Sequence, residues 1–72
     1  MSADYSKLDA KIIATIQDLT ACRFATIMAH AVAEAAEHSM DEAFRVVDRR
    51  LQSLRKRGLI EFTGIRWRMV QK

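Results

Sequence analysis

Residues 44–60, FRVVDRRLQSLRKRGLI, decide the fold of this 72-residue chain. Four apolar residues recur in this stretch at spacings of three, four and three: Phe44, Val47, Leu51 and Leu54. Those spacings place the four side chains on one face of an α-helix. Gly58 tolerates the left-handed conformation that ends many helices, and the basic residues 55–57 complement the helix dipole in the last turn. The stretch therefore predicts a helix that stops at Gly58.

The start and the solvent side of this helix have signals of their own. Residues 39–42, SMDE, have the S-x-x-E form of a capping box, which predicts a helix start near residue 40. At about 100° per residue, the face opposite the apolar stripe carries Glu42, Arg45, Val46, Arg49, Ser53 and Lys56, with Gln52 at its margin. We expect this exposed face to be polar and mainly basic. Asp48 and Arg50 flank the apolar stripe and are expected to be structural.

Two more helices precede this one. The first has a helical repeat of Leu8, Ile12, Ile16 and Leu19, which predicts a helix over about residues 7–18. Residues 26–37 are rich in alanine and contain no helix breaker, which predicts a second helix. The residues between them, 20–24, fit a loop, a short edge strand or the first turn of the second helix.

After Gly58 the apolar period becomes two, which is typical of strands. Residues 59–62 and 65–70 are rich in β-branched and aromatic types and flank Thr63-Gly64, so we expect a two-stranded β-hairpin. Three residues of its second strand are expected to share one face: Ile65, Trp67 and Met69. Arg66 and Arg68 are expected on the other face. A hairpin is marginal alone, so its Phe62 and Trp67 face should pack on the helices.

The predicted class is a small α+β domain, a three-helix bundle followed by a hairpin. One domain accounts for residues 1–72, with a core of about residues 6–70, because the chain is too short for several domains. Hydrophobic residues make up 50% of the chain, which argues against disorder. The sequence has no apolar run that could cross a bilayer and no signal peptide, and its lone cysteine rules out an internal disulfide. We expect a cytoplasmic protein without a membrane partner.

The charges are distributed unevenly. Residues 1–44 hold three basic and seven acidic side chains, a formal charge of −4, whereas residues 45–72 hold nine basic and two acidic side chains, a formal charge of +7. A strongly basic half indicates an anionic partner, such as nucleic acid or a membrane surface.

The side chains that suggest metal or thiol chemistry are few: Cys22, His30 and His38. The two histidines lie eight residues apart, about 80° apart around a helix, and no carboxylate completes a plausible ligand set. A Cys–His nucleophile would need an orienting group and a pocket that short chains rarely supply. We therefore expect no metal, no cofactor, no catalytic residue and no small-molecule substrate, and the chain is not expected to be an enzyme.

Residues 47–60 resemble the end of a recognition helix in the winged helix-turn-helix superfamily, with the pattern V-x-x-x-L-x-x-L-x-x-x-G-L-I. The resemblance covers about residues 6–70. It implies that the third helix enters the major groove of DNA and that the hairpin, the wing, contacts backbone or minor groove. By position it nominates groove residues, Arg45, Arg49, Gln52 and Ser53, and phosphate-binding residues, Lys56, Arg66 and Arg68.

The chemistry of these side chains is compatible with that expectation. Arginine can donate two parallel hydrogen bonds to guanine, and glutamine can pair with adenine. The alternative is a solvated helix face with ion pairs from Arg45 to Glu42 and from Asp48 to Arg45 and Arg49. Phe62 and Trp67 can be either a stacking platform for single-stranded bases or part of the core, and the core is favoured because the helices must be covered.

Two functions therefore stay open. The first is a small DNA-binding transcriptional regulator that acts on double-stranded DNA. The second is a winged-helix interaction module that does not bind DNA and that uses the alanine-rich second helix, or its acidic N-terminal half, to assemble with itself or with a larger protein. Glu42 on the expected DNA face weakens the first, because a carboxylate near phosphates opposes binding.

Overall fold

A computed structural model describes residues 4–70. These residues form a small α+β fold of three helices and a three-stranded antiparallel sheet. In chain order the elements are α1 (Ser6–Leu19), β1 (Ala21–Cys22), α2 (Phe24–Ala36), α3 (Ala43–Lys56), β2 (Ile60–Phe62) and β3 (Trp67–Met69). Within the described residues, no helix has both the length and the apolar character needed to cross a membrane.

The sheet differs from the predicted pair of strands. β3 lies in its centre, with β2 on one side and β1 on the other. Cys22 of β1 is opposite Trp67, which is also opposite Phe62 of β2. The short segment before α2 is therefore an edge strand, one of the three alternatives that its sequence allowed. A strand of two residues is too short for its sequence pattern to predict it. Its pairing with β3 depends on residues 45 positions away, such as Trp67 opposite Cys22.

The core lies where the three helices and the sheet meet. Its fully buried large side chains come from every helix and from β2: Leu8, Ile12, Ile16, Ile27, Val47, Leu51, Leu54 and Ile60. The alanines of α2 at positions 31 and 35 are also completely buried, which lets the neighbouring helices approach closely. The predicted apolar stripes of α1 and α3 are confirmed at most positions. Leu19 is an exception, because it is the last residue of α1 and is 46% exposed.

The predicted capping box is wrong. α3 begins at Ala43, and its N-cap residue, Glu42, makes no side-chain capping bond. Ser39 instead belongs to the end of α2, since its backbone N–H donates to the carbonyl of Ala35 at 3.1 Å. The Glu42 carboxylate accepts a hydrogen bond from Arg45 at 3.4 Å and so does not reach back to Ser39.

Phe44 is also not in the core, because it is 52% exposed and Ala43 occupies the buried position. At about 100° per residue, Phe44 lies about 65° from the centre of the buried face, at its margin.

The end of α3 matches its prediction. Gly58 has a φ of 77°, and its N–H donates to the carbonyl of Arg55. The N–H of Leu59 donates to the carbonyl of Leu54 at 3.1 Å, so the two bonds together form a Schellman motif. This motif turns the chain directly from α3 into β2.

The turn between β2 and β3 is longer than expected. The N–H and hydroxyl of Thr63 both donate to the carbonyl of Arg66, at 2.8 and 3.2 Å. Those bonds hold residues 64–66 outside the strand, so β3 begins only at Trp67. Ile65 is consequently 63% exposed, and the prediction that it shares a buried face with Trp67 is wrong.

Candidate nucleic-acid interface

The exposed face of α3 carries four of the predicted site residues in one groove. Arg49 and Lys56 are exposed, and Gln52 and Ser53 between them are half-buried. Together with Asp48 and Arg57 they line an open groove of about 430 Å³. Because α3 buries Val47, Leu51 and Leu54 on its other side, these polar side chains must face solvent. We call this surface the α3 groove.

Arg45 lies in an adjoining cleft nearer the start of α3. This cleft has a volume of about 420 Å³ and is lined by Phe24, Phe44, Arg45, Asp48 and Arg49. Asp48 and Arg49 line both spaces, so the cleft continues the α3 groove along the helix. We call it the aromatic cleft. The structure therefore brings five predicted site residues, Arg45, Arg49, Gln52, Ser53 and Lys56, onto one continuous surface.

The ion pairs leave most of this surface positively charged. Arg45 pairs with Glu42 at 3.4 Å, and both side chains are more than half exposed. This ion pair is one of those expected if the face is only solvated. Among residues 4–70, however, Asp48 makes no ion pair with Arg45 or Arg49, and neither Arg49 nor Lys56 has an acidic partner within 4 Å. Exposed pairs such as Glu42–Arg45 contribute little to stability and open readily.

The two arginines of the predicted wing lie in different settings. Arg66 is exposed in the turn between β2 and β3. Arg68 lies on the central strand opposite Glu61, and its Nε donates to that carboxylate at 2.5 Å. It also lines a depression next to the C-terminal end of α1, together with Gln17 and Thr20. Neither arginine lines the α3 groove or the aromatic cleft.

Arg50, the neighbour of Arg49, has a structural role, as its position beside the apolar stripe predicts. Its Nε and Nη2 each donate to one carboxylate oxygen of Asp9 at 2.8 Å, and both side chains are about four-fifths buried. The Asp9 carboxylate raises the pKa of Arg50. The guanidinium also lies 4.6 Å from the ring centroid of Tyr5.

Tyr5 in turn contacts His38, with ring centroids 4.5 Å apart and the ring planes tilted by 39°. The contacts among Tyr5, Asp9, His38 and Arg50, here called the Arg50 clasp, therefore join the start of α1 to α3 and to the end of α2.

The aromatic residues of the sheet do not form an open platform. Trp67 is only 5% exposed and belongs to the core, whereas Phe62 is 46% exposed and rests against it with ring centroids 4.9 Å apart. The preference for core packing is thus confirmed for Trp67 and is wrong for Phe62. Cys22 is also buried, and that burial raises the pKa of its thiol. In the part of the chain that the structure describes, no group of three or more His, Cys, Asp or Glu side chains could hold a metal ion.

Sequence reasoning missed two features of the site. The first is that Phe24 and Phe44 line one cleft; the available signal was an aromatic residue in the first turn of α2 and of α3. The second is Asp9 as the partner of Arg50, which lies 41 positions away and has no local signal.

Comparisons with protein-family models, with curated proteins and with solved structures found no match for this chain.

Proposed function

We propose that this chain is a small double-stranded-DNA-binding protein of the winged helix-turn-helix type and acts as a transcriptional regulator. The observation that carries this proposal is the α3 groove with its adjoining cleft: a basic, solvent-facing helix side with two cations that have no acidic partner among residues 4–70. The major groove admits a helix of this kind, and phosphate neutralisation supplies most of the affinity.

The roles of the residues follow from their places on the helix. Arg45 and Arg49 point out from the first half of α3, where recognition helices contact base edges, and either can donate a bidentate pair to guanine. Gln52 can pair with adenine, and the Ser53 hydroxyl can donate to or accept from a base edge. Lys56 lies at the end of the groove and neutralises phosphate. In this proposal β2, β3 and their turn act as the wing, with Arg66 on the backbone and Arg68 free to contact phosphate only after it leaves Glu61.

The decisive experiment is a fluorescence-anisotropy titration with a mixed-sequence duplex at low salt. We expect binding well below about 100 μM, the weak end of nonspecific affinity, and a log–log salt slope near −5 if about six phosphates are contacted. The double variant Arg45→Glu/Arg49→Glu should abolish binding. Its matched control is Lys7→Glu/Lys11→Glu, which removes the same charge from exposed positions on α1 and should weaken binding far less.

Equal losses in the two double variants would mean that only net charge matters, and the α3 groove would not be the interface. No binding by the unmodified chain up to about 100 μM would reject the proposal. Circular dichroism of each variant separates lost binding from lost folding.

One observation favours the second candidate, an interaction module that assembles with itself or with a larger protein. The solvent side of α2 is apolar, with exposed residues at helical spacing: Ala25, Ala29, Val32 and Ala33. Sedimentation velocity tests self-assembly directly. If the chain forms a dimer that Val32→Glu disrupts, while duplex DNA does not bind, the interaction module replaces the DNA-binding protein as the function.

A further inference from the structure

The aromatic cleft has a composition that phosphate binding does not explain. Its lining includes two phenylalanine rings and the carboxylate of Asp48 beside the guanidinium groups of Arg45 and Arg49. A phosphate would gain nothing from the rings and would be repelled by Asp48. In contrast, the α3 groove, which Asp48 also lines, has three cations and no aromatic residue in its lining. The two adjoining spaces are therefore suited to different chemical groups.

Among the residues that line the cleft, Phe44 most needs an explanation. More than half of its side chain is in solvent, on the second residue of α3, where the buried position is already filled by Ala43. Phe24, the first residue of α2, lies across the cleft and is partly packed against the core. The two rings give the cleft an apolar wall between the first turns of two helices, with the Arg45 guanidinium carbon 5.9 Å from the Phe44 ring centroid.

We propose that the aromatic cleft reads thymine in the major groove, by contact of Phe44 and Phe24 with its C5-methyl group. This inference rests on the proposed DNA binding and deepens it. The thymine methyl is the apolar group that the base pairs of DNA present in the major groove, and phenylalanine is one of the side chains that contact it. Phe44 lies in the first turn of α3, the part of a recognition helix that contacts base edges.

The other groups of the cleft fit the same base pair and its neighbour. The carboxylate of Asp48 is an acceptor, and the adenine paired with thymine presents its amino group in the major groove. Arg45 and Arg49 are donors, and guanine presents two acceptors there. The cleft thus offers an apolar wall, one acceptor and two donors. Together these groups favour a thymine–adenine pair next to a guanine. A cleft of about 420 Å³ is open enough to receive the edge of a base.

Removal of the methyl group alone tests the inference. Random duplexes are selected on the unmodified protein, and the selected pool is amplified with dTTP or with dUTP, which yields the same sequences with and without the methyl. We expect the uracil pool to bind about fourfold more weakly for each methyl in the cleft, the effect of exposing one methylene-sized group. Charge, base pairing and hydrogen-bonding groups are the same in both pools.

Two phenylalanine variants assign the effect to the cleft. Phe44→Ala should lose most of the preference for thymine over uracil, because it removes the more exposed of the two rings that contact the methyl. Phe62→Ala is the matched control: it removes a ring of similar exposure, 46% against 52%, from the sheet and should keep the preference for thymine.

The outcomes separate the two proposals. Equal binding of both pools by the unmodified protein, or a preference for thymine that Phe44→Ala leaves undiminished, overturns the thymine contact and leaves DNA binding in place. A selection that enriches nothing, with no binding to any duplex, rejects the proposed function itself.

Discussion

Arg49 and Arg50 are neighbours on α3, yet the fold uses them in opposite ways. Arg50 is about four-fifths buried and holds Asp9 with two hydrogen bonds of 2.8 Å, and Tyr5 covers its guanidinium. Arg49 is exposed, lines both the α3 groove and the aromatic cleft, and has no acidic partner among the described residues. One step along a helix is a rotation of about 100°, so it separates an arginine that stabilises the fold from one that is available to a partner.

The comparison extends to the two sides of α3. The inner side is apolar and is closed at its edge by the Arg50 clasp, so substitutions there should lower stability. The outer side is basic and solvated, so substitutions there should leave stability nearly unchanged and, in the proposed function, should change DNA binding. Substitutions of Leu51, Arg50 and Arg49 test this division, and Asp4, which lies outside α3, is the site of the smallest expected effect on stability.

Leu51→Ala should have the largest effect, because Leu51 is completely buried in the middle of the inner side. The cavity and the lost transfer energy together should lower the free energy of unfolding by about 2–5 kcal/mol, most of the stability of a domain this small. Urea denaturation followed by circular dichroism measures the loss. A loss below about 1 kcal/mol would show that the inner side of α3 is loosely packed.

Arg50→Ala should come next, with a loss of about 2–3 kcal/mol, because it leaves the Asp9 carboxylate partly buried without its two donors. Arg50→Lys should recover only part of this loss, since an ammonium cannot donate the parallel pair that a guanidinium does. The same denaturation experiment measures both. If Arg50→Lys is as stable as the unmodified chain, charge alone matters and the paired geometry does not.

Arg49→Ala should change the free energy of unfolding by less than about 0.5 kcal/mol, because its side chain is exposed and makes no ion pair among the described residues. In the proposed function it should weaken DNA binding and, if it contacts phosphate, reduce the magnitude of the salt slope by about 1. A stability loss equal to that of Arg50→Ala would remove the distinction between the two arginines.

Asp4→Asn should have the smallest effect. The N–H and hydroxyl of Ser6 donate to the Asp4 carboxylate, and these bonds lower its pKa below the ordinary value of 3.8. A lowered pKa in the folded state contributes stability that is present above 3.8 and is lost as the pH falls through the folded value. The stability difference between the unmodified chain and Asp4→Asn should therefore shrink in acid, as thermal melts at several pH values can measure. A difference that grows in acid would contradict this assignment.

The main elements of the fold could be predicted from local sequence. The repeats of α1 and α3, the alanine content of α2 and Gly58 at the end of α3 are patterns within one turn or one element, and the structure has all of them. The prediction of a capping box was wrong, because Ser39 bonds through its backbone N–H to the end of α2 and does not cap α3. The prediction that Ile65 shares a face with Trp67 was wrong, because the two hydrogen bonds that Thr63 donates to the carbonyl of Arg66 lengthen the turn.

The candidate site was accessible to sequence only in part. Helical periodicity was enough to place Arg45, Arg49, Gln52, Ser53 and Lys56 together, because all five belong to one helix. The ion pair of Arg68 could not be predicted from helical periodicity, because its partner Glu61 lies on another strand of the sheet. The aromatic cleft could not be predicted either, because only the packing of α2 against α3 places Phe24 and Phe44, 20 positions apart in the sequence, in one cleft.

What the sequence determined by itself is which residues can form helices and where the charge lies, with a formal charge of −4 in residues 1–44 and +7 in residues 45–72. Only the tertiary structure decided which arginine of α3 is buried, which edge strand completes the sheet and which aromatic residues reach solvent. The physical reason is range: periodicity and capping depend on neighbours within a few positions, whereas burial and ion pairing depend on residues that are distant in the chain and adjacent only after folding.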